Sequence, residues 1–299
     1  MTENGKRRMS MKSNFHTHTT FCDGKQSPEE NAIEAVGRGF CTLGFSSHAE
    51  LPFSDDWHLK VERFGDYKAE VERLKSEFSG RLNIRLGFEA DFIPGITEPT
   101  FRTYGKYEPD FIIGSVHFVY NGKGIFEADG SAESIKKAID EFYNGNVKEA
   151  VTRYFEQERE MLERSRDSGI FTIIGHADLI RKSNFKSNMV GKGMDFFDER
   201  DSWYREQLRL TADAIAASGV VAEINTGAIS RLNMRTPYPS EEFLGLLKER
   251  NVPITINSDA HDKGALDCAF DEARALAKKI GYDEAVCDIV AGKLEFAKI

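Results

Sequence analysis

Short apolar runs alternate along the chain with longer stretches in which apolar residues recur at helical spacing. Seven of the short runs are predicted to be strands. They are Asn14–His18, Cys41–Ser47, Asn83–Asp91, Asp110–Phe118, Gly169–His176, Val220–Asn225 and Pro253–Ser258. Because helical stretches separate these strands, the pattern predicts an α/β fold with a closed or nearly closed parallel barrel. A doubly wound open sheet is the alternative.

Eight stretches between and after the strands are predicted to be helices. They are residues 28–38, Val61–Phe78, Ala132–Tyr143, Val147–Ser168, Arg200–Ser218, Ser240–Arg250, Leu266–Ile280 and Asp283–Val290. The first has the clearest start signal. Ser27 is placed at the N-cap, Pro28 at the first helical position and Glu30 at the third, which together form a capping box.

The length of 299 residues fits either one barrel or two smaller domains. A hydrophobic fraction of 40% supplies a packed core and excludes a disordered chain. We predict a frayed tail over residues 1–12 and a single barrel over residues 13–299. The net charge of −9 argues against general binding to nucleic acid or anionic membranes. An anionic substrate would therefore need a local positive field, which metal ions can supply.

The four cysteines are scattered and show no CxxC spacing; they are Cys22, Cys41, Cys268 and Cys287. They are predicted to be reduced thiols of a cytoplasmic protein. Cys22 lies beside a histidine motif but is interpreted as a bystander. No apolar run approaches the roughly 18–20 residues of a membrane-spanning helix, and the polar first residues do not predict a secretory signal.

Imidazole and carboxylate groups gather at or just beyond the C-terminal ends of the predicted strands. Six of the seven histidines and three carboxylates share this position: His16, His18, Asp23, His48, Glu89, His117, His176, Asp259 and His261. The strand ends of a parallel barrel meet at one face, so these side chains are expected to line one cavity. Without a thiolate cluster, the set favours Zn, Mn or Fe over Ca. Nine ligands suit two or three divalent ions, with Glu89 as the bridging carboxylate.

His58 is the exception among the histidines. It follows Trp57 in a polar loop and is expected to be a surface residue. The alternative is that Trp57 and His58 help to form a lid over the site.

Several motifs resemble those of the polymerase-and-histidinol-phosphatase (PHP) metallophosphoesterases, and more closely their histidinol-phosphate phosphatase branch. The similarity covers residues 13–275. Its motifs are Phe15-His16-Thr17-His18, Ser46-Ser47-His48-Ala49-Glu50, Ile113-Gly114-Ser115-Val116-His117, Ile174-Gly175-His176-Ala177-Asp178, Glu223-Ile224-Asn225-Thr226-Gly227 and Asn257-Ser258-Asp259-Ala260-His261. The resemblance implies a distorted (β/α)7 barrel of the TIM type, in agreement with the seven predicted strands.

The resemblance also implies three metal positions. The first would use His16, His18, Glu89 and Asp259, the second Glu89, His117 and His176, and the third Asp23, His48 and His261. Asp23 stands where many PHP proteins have histidine, a pattern also found in the phosphatase branch. The implied reaction is hydrolysis of L-histidinol phosphate by metal-activated hydroxide, with Glu89, Asp259 and His261 as catalytic candidates. No protein nucleophile is needed, so Ser46, Ser47 and Ser115 are interpreted as structural.

Cationic side chains next to the motifs are predicted to bind the phosphate group, since arginine can grip phosphate through two donors. They are Arg181, Lys182 and Arg231. Histidinol also carries an ammonium group and an imidazole, which call for acidic or aromatic neighbours. Glu50, Asp91, Glu223 and Phe53 are the candidates, although Glu50 or Glu223 could instead orient metal ligands.

Three other functions are alternatives. A PHP phosphoesterase for another small monoester or a nucleotide would share the metal site, so that only the loops would distinguish it. A domain acting on DNA ends would be expected to carry a basic stripe with interleaved aromatic residues. A non-catalytic domain would be expected to have lost ligands. The sequence leaves open a homodimer and lids formed by residues 120–146 or 183–203.

Overall fold

The computed structural model describes residues 12–53, 56–166, 169, 171–187 and 193–299. Three predictions fall partly or wholly outside these residues: the tail over residues 1–11, the predicted helix end at Ser168, and positions 188–192 of the second lid segment. Among the described residues, no helix combines the length and apolar character needed to cross a membrane.

Eleven strands are formed in the described part of the chain. They are β1 Lys12–Asn14, β2 Phe40–His48, β3 Asn83–Asp91, β4 Phe111–Ser115, β5 Phe118–Tyr120, β6 Ile125–Glu127, β7 Ile173–Ile174, β8 Val221–Asn225, β9 Ile254–Asn257, β10 Glu284–Val290 and β11 Lys293–Lys298. The α-helices are α1 Pro28–Gly37, α2 Phe64–Glu77, α3 Phe101–Tyr104, α4 Ala132–Tyr143, α5 Val147–Arg166, α6 Ser202–Ser218, α7 Gly227–Ser230, α8 Glu241–Glu249 and α9 Phe270–Ile280.

Seven strands form one parallel sheet in the order β1-β2-β3-β4-β7-β8-β9. The order follows the chain without the reversal of a doubly wound sheet, so that alternative is wrong. Beyond the ends of β1 and β9, Thr17 and Ala260 form a parallel bridge that brings the two edges together. The seven-stranded, nearly closed α/β barrel is therefore confirmed.

Helix α1 begins as its start signal predicts. Ser27 accepts a hydrogen bond from the Glu30 backbone, and the Glu30 side chain accepts one from the Ser27 backbone. Both partners satisfy donors that a helix start leaves open. Pro28 can follow at once because the first helical position has no intrahelical acceptor for an N–H.

The interior of the barrel is narrow and filled by large apolar side chains, including Phe15, Phe111 and Ile113. Gly87 on β3 makes this packing possible, because a Cβ there would lie 2.4 Å from the Phe111 ring. The packing of Phe111 against β3 therefore depends on the missing side chain at Gly87.

The C-terminal segment differs from the prediction. The helix predicted over Asp283–Val290 is wrong, since β10 and β11 form an antiparallel hairpin. Val286 and Ile289 of β10 pack on Phe111 and Val221, which begin their strands, so the hairpin closes the N-terminal end of the barrel. The turn at Ala291 and Gly292 has positive φ at both residues, which suits a tight hairpin.

Three predicted strands also differ in position or length. The strand predicted over Asn14–His18 shares only Asn14 with β1. The stretch Asp110–Phe118 separates into β4 and the start of a β5–β6 hairpin, and Gly169–His176 reduces to Ile173–Ile174. The breaks fall where His117 and His176 leave the sheet, so the chain is irregular beside the residues that carry the chemistry.

Candidate metal centre

Glu89, near the end of β3, occupies the middle of the C-terminal face. Its two carboxylate oxygens lie within 3.5 Å of ring nitrogens of five histidines. The distances are 3.0 Å to His16, 3.5 Å to His18, 2.9 Å to His48, 3.5 Å to His117 and 3.0 Å to His176. The Ser115 hydroxyl donates to Oε1 at 2.8 Å. A carboxylate that faces ligands on both oxygens has the arrangement expected of a bridge between ions.

A second group forms around the loop after β1. His18, Asp23, His48 and His261 each offer one atom within 4.8 Å of the others. Asp23 Oδ2 is 3.0 Å from His261 Nε2, and the His18 ring stacks against those of His48 and His261. This group contains all three residues of the third predicted metal position, together with His18.

Asp259, which follows β9, adds a carboxylate to the C-terminal face of the barrel. Its Oδ1 lies 3.7 Å from His16 Nε2 and 3.3 Å from His18 Nε2. Its backbone has φ 50, an uncommon left-handed conformation for aspartate. Arg231 holds it there, donating from Nη2 to Oδ2 at 2.9 Å and from Nη1 to the Asp259 carbonyl at 3.1 Å. Gly227 leaves room, because a Cβ would lie 2.7 Å from Oδ2.

Two buried carboxylates contact the Nδ1 atoms of His16 and His117, the ring nitrogens that do not face Glu89. Glu223 lies 3.0 Å from His16 Nδ1 and accepts a hydrogen bond from the His176 backbone at 2.8 Å. Asp91 lies 3.2 Å from His117 Nδ1 and accepts from the His117 backbone at 2.9 Å. A carboxylate behind a histidine fixes the tautomer and orients the other nitrogen towards a metal. This position favours the orienting role for Glu223 over substrate binding.

A cavity of about 300 Å³ opens onto this cluster. Its lining residues are Asp23, His48, Trp57, His117, Glu127, Asp129, Lys182, Arg231, Asp259 and His261. Lys182 reaches Asp129 at 2.9 Å, and Trp57 packs edge-on against the His48 ring at 4.6 Å. Metal ligands, two cations and an acidic and aromatic wall therefore surround one space.

A larger cavity of about 810 Å³ lies elsewhere, beside Tyr120 and helix α5. In its lining, Arg153 pairs with Glu160 at 2.7 Å and with Glu156 at 3.8 Å. The smaller cavity is the candidate site because five of the nine predicted ligands line it.

Besides Glu223 and Asp91, which lie behind histidines, three predicted substrate residues are absent from this lining: Arg181, Glu50 and Phe53. Arg181 is buried and pairs with Asp178 at 3.2 Å and Glu199 at 3.1 Å. Glu50 accepts a hydrogen bond from the Val61 backbone at 2.7 Å and lines a different groove. Phosphate contact by Arg181 and substrate contact by Glu50 receive no support from this arrangement.

Three residues in or beside the cavity differ from what the sequence predicts. The surface position expected for His58 is wrong: it is 3% exposed and lies 3.8 Å from Asp91. Glu127 and Asp129 were not singled out, because they lie on and just after the unpredicted strand β6. Their one available signal was their place after the His117 motif in the sequence.

Burial and neighbouring charges shift the pKa values of these groups. Burial acts to raise the pKa of Glu89, but His16, His48 and His117 hold it well below its ordinary value. Burial, together with His261 and His48, lowers the pKa of His18 to about 3. Burial opposes charge on His117, yet Asp91 and Glu89 raise its pKa to about 10. An ionised carboxylate beside the neutral His18 ring is the protonation state that metal ions need.

The donor set fits divalent ions. His16 Nε2, His18 Nε2 and Glu89 Oε2 are buried and have no hydrogen-bond partner among the described residues. Two triads within this cluster, His16–His18–Glu89 and His48–Glu89–His117, each offer donor atoms within 4.8 Å of one another. Buried polar atoms are normally paired, so these point to an ion as their partner. Imidazole and carboxylate together suit Zn, Mn or Fe.

Known proteins resemble this chain over most of its length. The "Probable histidinol-phosphatase" of Deinococcus radiodurans is 28% identical over 269 residues, covering 89% of this chain and 92% of that protein. The histidinol-phosphatase of Bacillus subtilis is 28% identical over 273 residues, covering 87% and 97%. The histidinol phosphate phosphatase of Lactococcus lactis, solved with zinc, L-histidinol and phosphate, has a TM-score of 0.71 at 22% identity, covering 95% and 98%.

The family itself follows from a broader match. The model of the PHP domain matches residues 14–227, which begin just before the His16 motif and end just after the Glu223 motif. This range is well over half of the chain. The chain therefore belongs to the PHP domain family.

Proposed function

We propose that this chain is a metal-dependent phosphomonoesterase that hydrolyses L-histidinol phosphate to L-histidinol and phosphate. The observation that carries the proposal is the cavity, in which clustered metal ligands face two cations and an acidic, aromatic wall. The histidinol-phosphatases of Deinococcus radiodurans and Bacillus subtilis support the same substrate.

The nine residues His16, His18, Asp23, His48, Glu89, His117, His176, Asp259 and His261 would hold two or three divalent ions, in three positions if the site is full. Bound divalent ions supply Lewis acidity, which polarises phosphoryl oxygens and lowers the pKa of water towards 7. Glu89 would join the positions, since it faces five histidines. Asp259 and His261 line the cavity and would lie next to the reacting phosphate.

Lys182 and Arg231 would bind the phosphoryl oxygens. Lys182 is held by Asp129 at 2.9 Å, and Arg231 by Asp259 at 2.9 Å, so both cations are ordered before the substrate arrives. Ordered donors lose less entropy on binding. Ser115 is occupied with Glu89, and the Ser46 hydroxyl accepts from the Thr17 backbone at 3.1 Å, so neither serine is placed as a nucleophile.

The organic part of the substrate would lie against Trp57, Glu127 and Asp129. Histidinol carries an ammonium group that carboxylates can pair with and an imidazole that an aromatic ring can contact. In this proposal, Glu127 and Asp129 replace Glu50 as the acidic neighbours, because they line the cavity.

The test is phosphate release by the metal-analysed protein from L-histidinol phosphate and three related monoesters. Phosphoethanolamine keeps the ammonium group, imidazole-ethanol phosphate keeps the ring, and a nucleoside monophosphate keeps neither. We expect L-histidinol phosphate to have the highest kcat/KM and chelation to abolish turnover. Equal kcat/KM for the nucleotide would contradict the assigned substrate, and full activity after chelation would contradict the metal centre.

The Glu127→Gln variant tests the acidic wall, with Glu141→Gln on exposed α4 as its control. Glu127 is exposed, and an exposed ion pair is worth about 0.2–1 kcal/mol. We expect KM for L-histidinol phosphate to rise by up to about 5-fold in Glu127→Gln, while imidazole-ethanol phosphate is little affected. An equal change for both esters would show that Glu127 does not contact the ammonium group.

A further inference from the structure

The junction between β1 and β9, called the seam below, is built differently from the six strand pairs of the sheet. Strands β1 and β9 stand at the two ends of the sheet order, and β1 spans only three residues. Yet the chain beyond β1 carries His16 and His18, and the chain beyond β9 carries Asp259 and His261. The metal centre therefore draws ligands from both sides of this seam.

Asn14, the last residue of β1, connects the two sides through its side chain. Its Oδ1 accepts from the His16 backbone at 3.0 Å and from the Ser258 backbone at 3.2 Å. Its Nδ2 donates to Ser258 Oγ at 2.6 Å and to the Leu266 carbonyl at 3.1 Å. The four bonds use the full capacity of a carboxamide, and the side chain is completely buried.

Asn257, the last residue of β9, reaches across in the opposite direction. Its Oδ1 accepts from the Phe15 backbone at 2.9 Å, and its Nδ2 donates to Glu223 Oε2 at 2.9 Å. Glu223 in turn contacts His16 Nδ1 at 3.0 Å. One asparagine thus connects the backbone before His16 to the carboxylate behind its ring.

Backbone pairing resumes only beyond these two side chains. The His18 N–H donates to the Ala260 carbonyl at 2.9 Å, and the Ala260 N–H donates to the His16 carbonyl at 3.2 Å. Ala260 lies between Asp259 and His261, and Thr17 lies between the two histidines. The register set by the asparagines therefore decides how far these four ligands lie from one another.

We propose that Asn14 and Asn257 are positioning residues of the metal centre. Their carboxamides take the place of a strand ladder between β1 and β9 and hold His16 and His18 at ligand distance from Asp259 and His261. The proposal rests on the proposed metal-dependent function. It goes beyond it in placing control of metal affinity in two asparagines that touch no metal and no substrate.

The test measures the affinity for Zn²⁺ alone, by chelator competition on the full chain without substrate. Asn14→Ala removes all four bonds, whereas Asn14→Asp keeps both acceptor contacts. The control is Asn184→Ala, since Asn184 is equally buried and bonds to the backbones of Phe196 and Phe197 at 3.1–3.3 Å. Removing the partner of a metal ligand typically costs about 10- to 100-fold in metal affinity.

We expect Asn14→Ala to bind Zn²⁺ about 10- to 100-fold more weakly and Asn184→Ala to bind like the parent. Asn14→Asp should recover only part of that loss, because its second oxygen would face the Leu266 carbonyl. At saturating zinc, KM should remain near the parent value. Unchanged affinity in Asn14→Ala, or an equal loss in Asn184→Ala, would overturn the positioning role alone. A parent chain that binds no zinc would overturn the proposed function as well.

Hydrogen exchange on the parent chain covers the case in which Asn14→Ala does not fold. If the asparagine seam and the metal act together, Zn²⁺ should slow exchange in peptides 13–19 and 254–262 more than in peptides from β3 and β4. Equal protection of both regions, or none at the seam, would overturn the proposal.

Discussion

At the C-terminal end of the barrel, Glu89 lies among five buried histidines, whereas at the N-terminal end Phe111 and Val221 pack on the β10–β11 hairpin. The first end gathers charged and polar groups that lose hydration on burial. The second end gains free energy from burial alone. The two ends therefore divide the work: the apolar end stabilises the fold, and the polar end is arranged for a ligand.

This contrast predicts different effects for mutations at the two ends. Changes at the polar end should alter metal binding and turnover with little loss of folding stability, and changes at the apolar end should do the reverse. Four variants, taken from the largest expected effect to the smallest, test whether the two ends are independent.

Glu89→Gln should have the largest effect. The amide keeps the size of the side chain but loses the charge that faces five histidines, and removing even an outer partner of a metal ligand costs about 10- to 100-fold in affinity. We expect zinc affinity to fall by more than 100-fold and phosphatase activity to reach background, with an unchanged circular dichroism spectrum. A metal-replete and active Glu89→Gln protein would rule out the bridging role.

Ile289→Ala tests the other end. Ile289 is 1% exposed inside the barrel, and truncation of a buried isoleucine costs about 2–5 kcal/mol. We expect the free energy of unfolding in urea to fall by that amount while zinc affinity stays constant. Phe296→Ala, on the exposed side of the same hairpin, is the control and should change stability by less than about 0.5 kcal/mol. Loss of zinc affinity in Ile289→Ala would show that the two ends are coupled.

The sequence predicted the polar end better than the apolar end, for physical reasons. Each predicted ligand follows a strand, and parallel strand ends must meet, so the gathering of His16, Glu89 and His176 could be expected. The stretch Asp283–Val290 has apolar residues that suit either a helix or a strand. Its pairing with β11 depends on the barrel opening it covers, which no local pattern contains.

The cavity wall shows a second limit of prediction from the sequence. Arg181 and Lys182 are neighbours on one turn, and the sequence could not tell which of them faces the site. The structure directs Arg181 to Asp178 and Lys182 to Asp129. Trp57 and His58 lie in a loop whose burial depends on contacts with His48 and Asp91, which are made only after the barrel has formed.

Lys182→Ala sharpens the assignment within the polar end. A hydrogen bond to a charged group is worth about 1.5–3 kcal/mol, so inhibition by inorganic phosphate should weaken about 10- to 100-fold. The control is Lys186→Ala, which changes an exposed lysine four residues later. Phosphate should inhibit this variant as strongly as it inhibits the parent. If phosphate inhibition weakened in Arg181→Ala and stayed unchanged in Lys182→Ala, the assignment of these two neighbours would be reversed.

Glu158→Gln tests a buried acid in the helical wall behind the polar end. Glu158 is fully buried on α5 and accepts from the Tyr154 hydroxyl at 2.9 Å. Burial raises its pKa well above the ordinary value, outweighing the opposing effects of Tyr154 and His117. The folded chain thus keeps a proton that the unfolded chain releases above about pH 4.5.

The sign of the effect follows from that difference. Because the folded state binds more protons, the parent loses stability as the pH rises from the unfolded pKa towards the folded one. Glu158→Gln removes this loss, so its stability relative to the parent should increase with pH by up to about 1.4 kcal/mol per unit. Urea unfolding of both proteins at pH 5, 6 and 7 measures the difference. A constant difference across this range would mean that Glu158 is ionised in the folded barrel, and that the wall behind the metal ligands tolerates a charge.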